Sequence, residues 1–168
     1  MSVGIQVGTT AWDKQSRSLE KSIRQASKEV YEELQEQYPE LDRLSKLPKH
    51  MIPGGKGGCQ PDGGIWLYQG EVILVLEAKK QGARGNAIER WFKNFFICQK
   101  SFSIHTYLTF CSGEAAEENG IFERNLSIAS ENFNKIVPGE ACHYLSPSGF
   151  HVDFVKSIIR QVVLAYVL

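Results

Sequence analysis

The stretch Ile65-Trp66-Leu67-Tyr68-Gln69-Gly70-Glu71-Val72-Ile73-Leu74-Val75-Leu76-Glu77-Ala78-Lys79 decides the fold. Two apolar segments flank Gln69-Gly70, the pattern of two strands joined by a tight turn. The second holds Val72-Ile73-Leu74-Val75-Leu76, a continuous run rich in β-branched residues, as expected of a central strand buried on both faces. That run ends in Glu77-Ala78-Lys79. Residues two apart on a strand share a face, so Glu77 and Lys79 project together. A buried strand that ends in charges on one face needs a reason for them.

Outward from this hairpin, Leu19, Ile23, Ala26, Val30 and Leu34 recur at spacings of three and four and predict a helix over Ser18 to Tyr38, stopped by Pro39. Pro53 to Gly64 reads as a glycine-rich loop, with a short strand near Cys59 and Gln60. A helix is expected from about Asn86 to Lys100, with Ile88, Trp91, Phe92, Phe95 and Cys98 on one side. Ile104 to Cys111 predicts another strand, and Glu114 to Glu140 carries no clear period. Ser148 to Val167 predicts a final helix, with Val155, Ile158, Ile159, Val162 and Tyr166 inward and Ser146 and Ser148 as candidate caps. This order gives an α/β fold with a central mixed β-sheet flanked by helices. The 168 residues fit a single domain, with a catalytic core over about 18–112 and a C-terminal helical segment over about 146–168.

Nineteen Lys and Arg against nineteen Asp and Glu leave no net charge, which argues against binding nucleic acid by bulk charge. A local patch is different. From Glu77 to Lys100 six bases face two acids, an excess of four, and acid collects instead at Glu29, Glu32, Glu33, Glu36 and Glu40. Cys59, Cys98, Cys111 and Cys142 form no paired zinc motif and read as scattered thiols of a reducing cytosol. The first residues lack the pattern of a signal peptide, and the apolar end from Val162 is too short to span a bilayer. A cytoplasmic protein without membrane association is expected.

Pro61-Asp62-Gly63-Gly64 precedes the hairpin, and Glu77 follows Asp62 by fifteen residues. If the two strands pair, Asp62 lies near the end of the second, and its carboxylate can converge with Glu77 and Lys79. Hard cations such as Mg²⁺ take one or two carboxylates together with water and phosphate oxygen. Asp62 and Glu77 would supply the carboxylates and the Ala78 carbonyl a third oxygen. Lys79 would orient a water or stabilise charge on a phosphorane. Pro-Asp-Gly is also a common turn, and Glu-Ala-Lys-Lys an ordinary polar strand end.

Gly85-Asn86-Ala87-Ile88-Glu89-Arg90 opens the next predicted helix. Asn86 with Glu89 three residues later makes a capping pair, which accounts for both without any ligand. Asn can also bond adenine in two places and Arg can donate to purine acceptors in the major groove, so the same cluster can read DNA bases.

Pro61-Asp62-Gly63-Gly64-Ile65, Glu77-Ala78-Lys79-x-Gln81-Gly82 and Gly85 to Arg90 together resemble, in order, segments of the EcoRI-like type II restriction endonucleases of the PD-(D/E)xK nuclease superfamily. The similarity covers about Pro61 to Lys93. It implies a restriction-endonuclease-like fold, a homodimer acting on double-stranded DNA, and Mg²⁺-dependent hydrolysis that leaves 5′-phosphate ends. Asp62, Glu77 and Lys79 would be catalytic. Asn86 and Arg90 would read bases, with Glu89 holding them and Gly85 and Ala87 allowing close backbone approach. The family segment implies an inner AATT, four-base 5′ overhangs and a cognate methyltransferase for host protection. Only Ala83 and Arg84 separate Gly82 from Gly85, where relatives have a longer segment, so a shorter site is expected. Lys56, Lys80, Arg84 and Lys93 are candidates for DNA-backbone contact. The alternatives are a structure-specific or repair nuclease on the same scaffold, or a DNA-binding module without catalysis.

Overall fold

The computed structural model describes residues 9–46, 60–80, 104–117, 120, 123–124, 127–128 and 140–168, and of residues 9–18, 115 and 140 the backbone alone. The chain runs α1 (Thr9–Gln35), β1 (Leu41–Leu44), β2 (Ile65–Tyr68), β3 (Glu71–Lys80), β4 (Thr106–Ser112), a 3₁₀ turn (Glu114–Ala116), β5 (Glu140–Leu145) and α2 (Val152–Val167). The five strands form one mixed sheet in the order β1-β2-β3-β4-β5. The pairs β1/β2 and β2/β3 are antiparallel, and β3/β4 and β4/β5 are parallel. The protein is therefore α/β, with a five-stranded mixed sheet and two described helices.

The β2–β3 hairpin forms at the expected residues. Gln69 and Gly70 take φ of 52° and 82°, the left-handed pair of a type I′ turn whose twist matches that of the strands it joins. A bulge between Trp66 and Leu67 shifts the register, so Ile73 has no opposing residue on β2. Both Ile73 and Leu74 belong to the core packed by the helices.

α1 and α2 lie on one face of the sheet. Trp66, Leu74, Leu76, Ala78, Leu108 and Phe110 meet Leu19, Ile23, Ala26 and Val30 of α1 and Val155, Ile159 and Val163 of α2. Each fully buried large side chain contributes about 1.5–3 kcal/mol. Lys156 Nζ reaches Glu29 Oε2 at 3.1 Å and Glu33 Oε1 at 2.9 Å, and Arg160 Nη2 reaches Glu33 Oε2 at 2.7 Å, so the rims of the two helices are joined by charge. By strand alternation the other face carries Ile65, Val75, Glu77, Tyr107, Thr109 and Cys111, all buried. Among the described residues no helix is long and apolar enough to cross a membrane.

Several boundaries differ from expectation. α1 begins at Thr9 and ends at Gln35, and the Tyr38 N–H closes the last turn on the Leu34 carbonyl at 2.8 Å before Pro39 disfavours helix. α2 starts at Val152, not Ser148, because Ser146 to Gly149 closes as a turn in which Gly149 takes φ 97°. Its N-cap is His151 without a side-chain bond, so neither Ser146 nor Ser148 caps it. The buried stripe runs through Val155, Ile158, Ile159 and Val163, and the expected Val162 and Tyr166 pack against the core partly buried. β1 and β5 were not anticipated. Gln60 is not in a strand, and Cys59 lies outside the described residues, as does the expected helix from Asn86 to Lys100.

The turn before β2 is fixed by contact with β3. Gly63 donates its N–H to the Leu76 carbonyl at 2.9 Å, and Leu76 donates to the Gly64 carbonyl at 3.2 Å. The Gly63 carbonyl accepts from the buried Ser27 hydroxyl of α1 and from Trp66 Nε1 at 3.1 Å. A Cβ on Gly63 would lie 2.1 Å from Leu76 Cδ2 and 2.7 Å from Leu76 Cβ, so no rotamer change of Leu76 alone relieves it. Gly63→Ala is expected to destabilise the fold by about 1–3 kcal/mol through overpacking. Urea unfolding of the variant beside the wild type measures this, and an unchanged midpoint would refute the close approach.

Candidate active site at the end of β3

Asp62 stands just before β2, where β3 continues past the end of its pairing with that strand. Its Oδ2 accepts the Ala78 N–H at 3.0 Å, replacing the partner that a longer β2 would have offered. A carboxylate bonded by a backbone amide forms a charge-assisted link. Oδ1 faces Arg24 Nη2 of α1 at 3.6 Å, and Arg24 Nη2 lies 3.8 Å from Glu20 Oε2. Asp62 is thus held from two sides, by the strand backbone and by a helix charge.

Glu77 is 1% exposed, and Lys79 Nζ lies 2.8 Å from its Oε2. The two-residue period of β3 puts both side chains on the face opposite the helices. In register beside Glu77 are Thr109 of β4 and, one strand further, His143 of β5, so a row of polar residues crosses three parallel strands. Cys111 neighbours Lys79 in the same way. Burial pushes the Cys111 thiol far above its usual range, so it is no nucleophile at neutral pH. Burial lowers the His143 imidazole below its ordinary value, against a smaller opposing effect of Glu123.

The hairpin therefore brings Asp62 to the backbone of Ala78, between Glu77 and Lys79, as the strand pairing led one to expect. Lys80, in register with Ser112, points to the other face from Lys79 by strand alternation. Gly85, Asn86, Ala87, Glu89 and Arg90, and also Lys56, Arg84 and Lys93, lie outside the described residues. Sequence reading missed Arg24, Glu20, Thr109 and His143. The Glu20/Arg24 spacing is visible as an i,i+4 pair, but nothing local points Arg24 at Asp62.

Among the described residues no cluster of three or more His, Cys, Asp or Glu side chains is gathered. Two carboxylates with a backbone carbonyl still match the oxygen-donor set that Mg²⁺ takes when water and phosphate complete its shell. Each of these acids already has a cationic neighbour, Lys79 for Glu77 and Arg24 for Asp62. Compared with protein-family models, curated proteins and solved structures, the chain matches none.

The Glu77–Lys79 pair is a poor device for stability. Removing one member of a buried pair leaves charge poorly compensated, whereas replacing both with apolar groups is often neutral or favourable. Lys79→Met should destabilise the protein by about 3 kcal/mol, and the double variant Glu77→Leu/Lys79→Met should regain most of that loss. Denaturant melts of the single and double variants check it; equal losses would mean that the pair stabilises the fold.

Lys80 gives a pH signature. Burial lowers its ammonium from the ordinary 10.5 to about 8. Between those values the unfolded chain binds more protons than the folded one, so this group makes stability rise with pH. Below about pH 8 both states are protonated, and the folded state carries the cost of partly burying the charge, reduced by solvent screening. Lys80→Met should therefore be more stable than wild type at pH 7, with the gap closing between pH 8 and 10.5. Paired urea titrations over that range measure the gap.

Proposed function

We propose that this protein is a metal-dependent endonuclease acting on double-stranded DNA, with the restriction-endonuclease-like fold that its sequence resembles. The observation that carries the reading is the Asp62 carboxylate bonded to the Ala78 amide at 3.0 Å, beside the Glu77–Lys79 pair at 2.8 Å. The hairpin brings Asp62, fifteen residues before Glu77, to the amide of the residue that lies between Glu77 and Lys79. An α/β fold with a mixed sheet is compatible with that of the nucleases, and the Asp/Glu/Lys set has the chemistry that phosphodiester hydrolysis needs.

Asp62 and Glu77, with the Ala78 carbonyl, would hold Mg²⁺. When bound, the metal supplies Lewis-acid polarisation of the phosphate and a lowered pKa for the attacking water. Asp62 is oriented for this task by the main chain, which fixes its Oδ2 on the Ala78 amide. Lys79 Nζ orients the attacking water and stabilises negative charge that grows on the phosphate oxygens. Water oxygen bonds to phosphorus and releases a proton to solvent, the bond to the 3′ oxygen breaks, and that oxygen takes a proton from solvent, leaving a 5′-phosphate and a 3′-hydroxyl.

Site specificity rests on the resemblance of Gly85 to Arg90 to the family's base-reading segment. On that basis Asn86 and Arg90 read an AATT-containing palindrome, with Glu89 holding them. Symmetric cutting of a palindrome requires two identical sites, which a two-fold homodimer supplies. A cognate methyltransferase would protect the host's own sites.

The decisive experiment is digestion of a long, fully sequenced, unmethylated DNA with purified protein and Mg²⁺, sequencing every cut end. Discrete ends sharing a central AATT with 5′ overhangs, lost in Lys79→Ala, are expected. Folded protein that cuts nothing would sink the nuclease reading. Ends sharing no sequence would instead assign a nuclease governed by DNA shape.

A further inference from the structure

We propose that Arg24 is an exchangeable counter-ion of Asp62, a positioning residue that occupies the carboxylate until a divalent cation displaces it. The inference rests on the reading of Asp62 and Glu77 as metal ligands. It adds a device, built on α1, that sets how readily the site accepts the cation.

The two oxygens of Asp62 are treated differently. Oδ2 is fixed on the Ala78 amide at 3.0 Å, while Oδ1 meets Arg24 Nη2 at 3.6 Å, beyond a good hydrogen bond. The Arg24 side chain is 58% exposed and that of Asp62 only 13%, so the guanidinium reaches in from solvent over a mostly covered carboxylate. Exposed ion pairs of this looseness are weak. The Lys79–Glu77 contact is its opposite, short at 2.8 Å and mostly buried. One acid is therefore held by a tight cation and the other by a loose one.

Release of Arg24 does not strand a charge. Glu20, one turn back on α1, already lies 3.8 Å from the same Nη2. A guanidinium shared between two carboxylates can give up one and keep the other. A divalent cation at Oδ1 would gain more from Asp62 than a singly charged, solvated guanidinium does, so the exchange runs toward the metal. Arg24 then remains beside the site as a positive charge for an incoming phosphodiester.

The test is Mn²⁺ binding to the full chain without DNA, by titration calorimetry, in wild type, Arg24→Gln, Glu20→Gln and Asp62→Asn. Removing a competing charge should tighten Mn²⁺ by roughly 1.5-fold to fivefold in Arg24→Gln, the span of an exposed ion pair. Glu20→Gln should weaken it, because Arg24 loses its second partner. Asp62→Asn should remove most of the binding. A purely structural Arg24 would leave affinity unchanged or lower it on substitution, and either result overturns the inference. If the wild type binds no Mn²⁺, or Asp62→Asn binds as well as wild type, the metal-ligand reading falls first and the exchange with it.

Discussion

The hydrogen bonds from the Pro61–Gly64 turn to β3 are the constraint on which the rest of the site depends. β2 leaves β3 after Ile65, and a strand as buried as β3 cannot leave its amide groups unsatisfied. Gly63 and Gly64 continue the ladder to Leu76, and the Asp62 side chain then serves Ala78 in place of a backbone partner. The same bonds that complete the sheet therefore aim a carboxylate at the end of β3. Ser27 and Trp66 hold the Gly63 carbonyl, tying this turn to the helix layer as well. Backbone satisfaction and site geometry are one feature here.

Charge at the site follows from burial. Glu77 has lost almost all contact with water, and only its contact with Lys79 and its other polar surroundings make the ionised form tolerable. Apolar side chains would stabilise this row more simply, as Ile65 and Val75 do on the same face. Asp62 sits at the margin between core and solvent, where α1 can bring Arg24 against it. The gradient from a dry pair to a wet one gives the two acids different freedom. The Glu77–Lys79 contact is short and dry, and the Asp62–Arg24 contact is longer and open to water.

The main elements were legible because each rests on a local signal strong enough to survive tertiary packing. The hairpin was set by Gln69-Gly70 and two apolar runs, α1 by its stripe, and α2 by Val155, Ile158 and Ile159. β1 and β5 were not. Leu41-Asp42-Arg43-Leu44 has little strand character of its own, and its pairing with β2 makes it a strand. Glu140-Ala-Cys-His-Tyr-Leu145 gains its identity from parallel pairing with β4, a contact between segments distant in sequence. On α2 the packing buries Val163 fully and leaves the expected Val162 partly buried against the same core.

For the candidate site, the sequence by itself determined the residue types and their phase. Asp62, Glu77 and Lys79 could be named because strand alternation puts the last two on one face and a hairpin returns the first to their level. Tertiary structure alone decided how they are held. It put Asp62 Oδ2 on an amide rather than in solvent, brought Arg24 across from α1, and aligned Thr109 and His143 beside Glu77 across parallel strands. The division has a physical cause. Periodicity is a property of local backbone geometry and is written in each segment. Contacts between a helix, a turn and three strands depend on how separate segments pack, and no single segment carries that information.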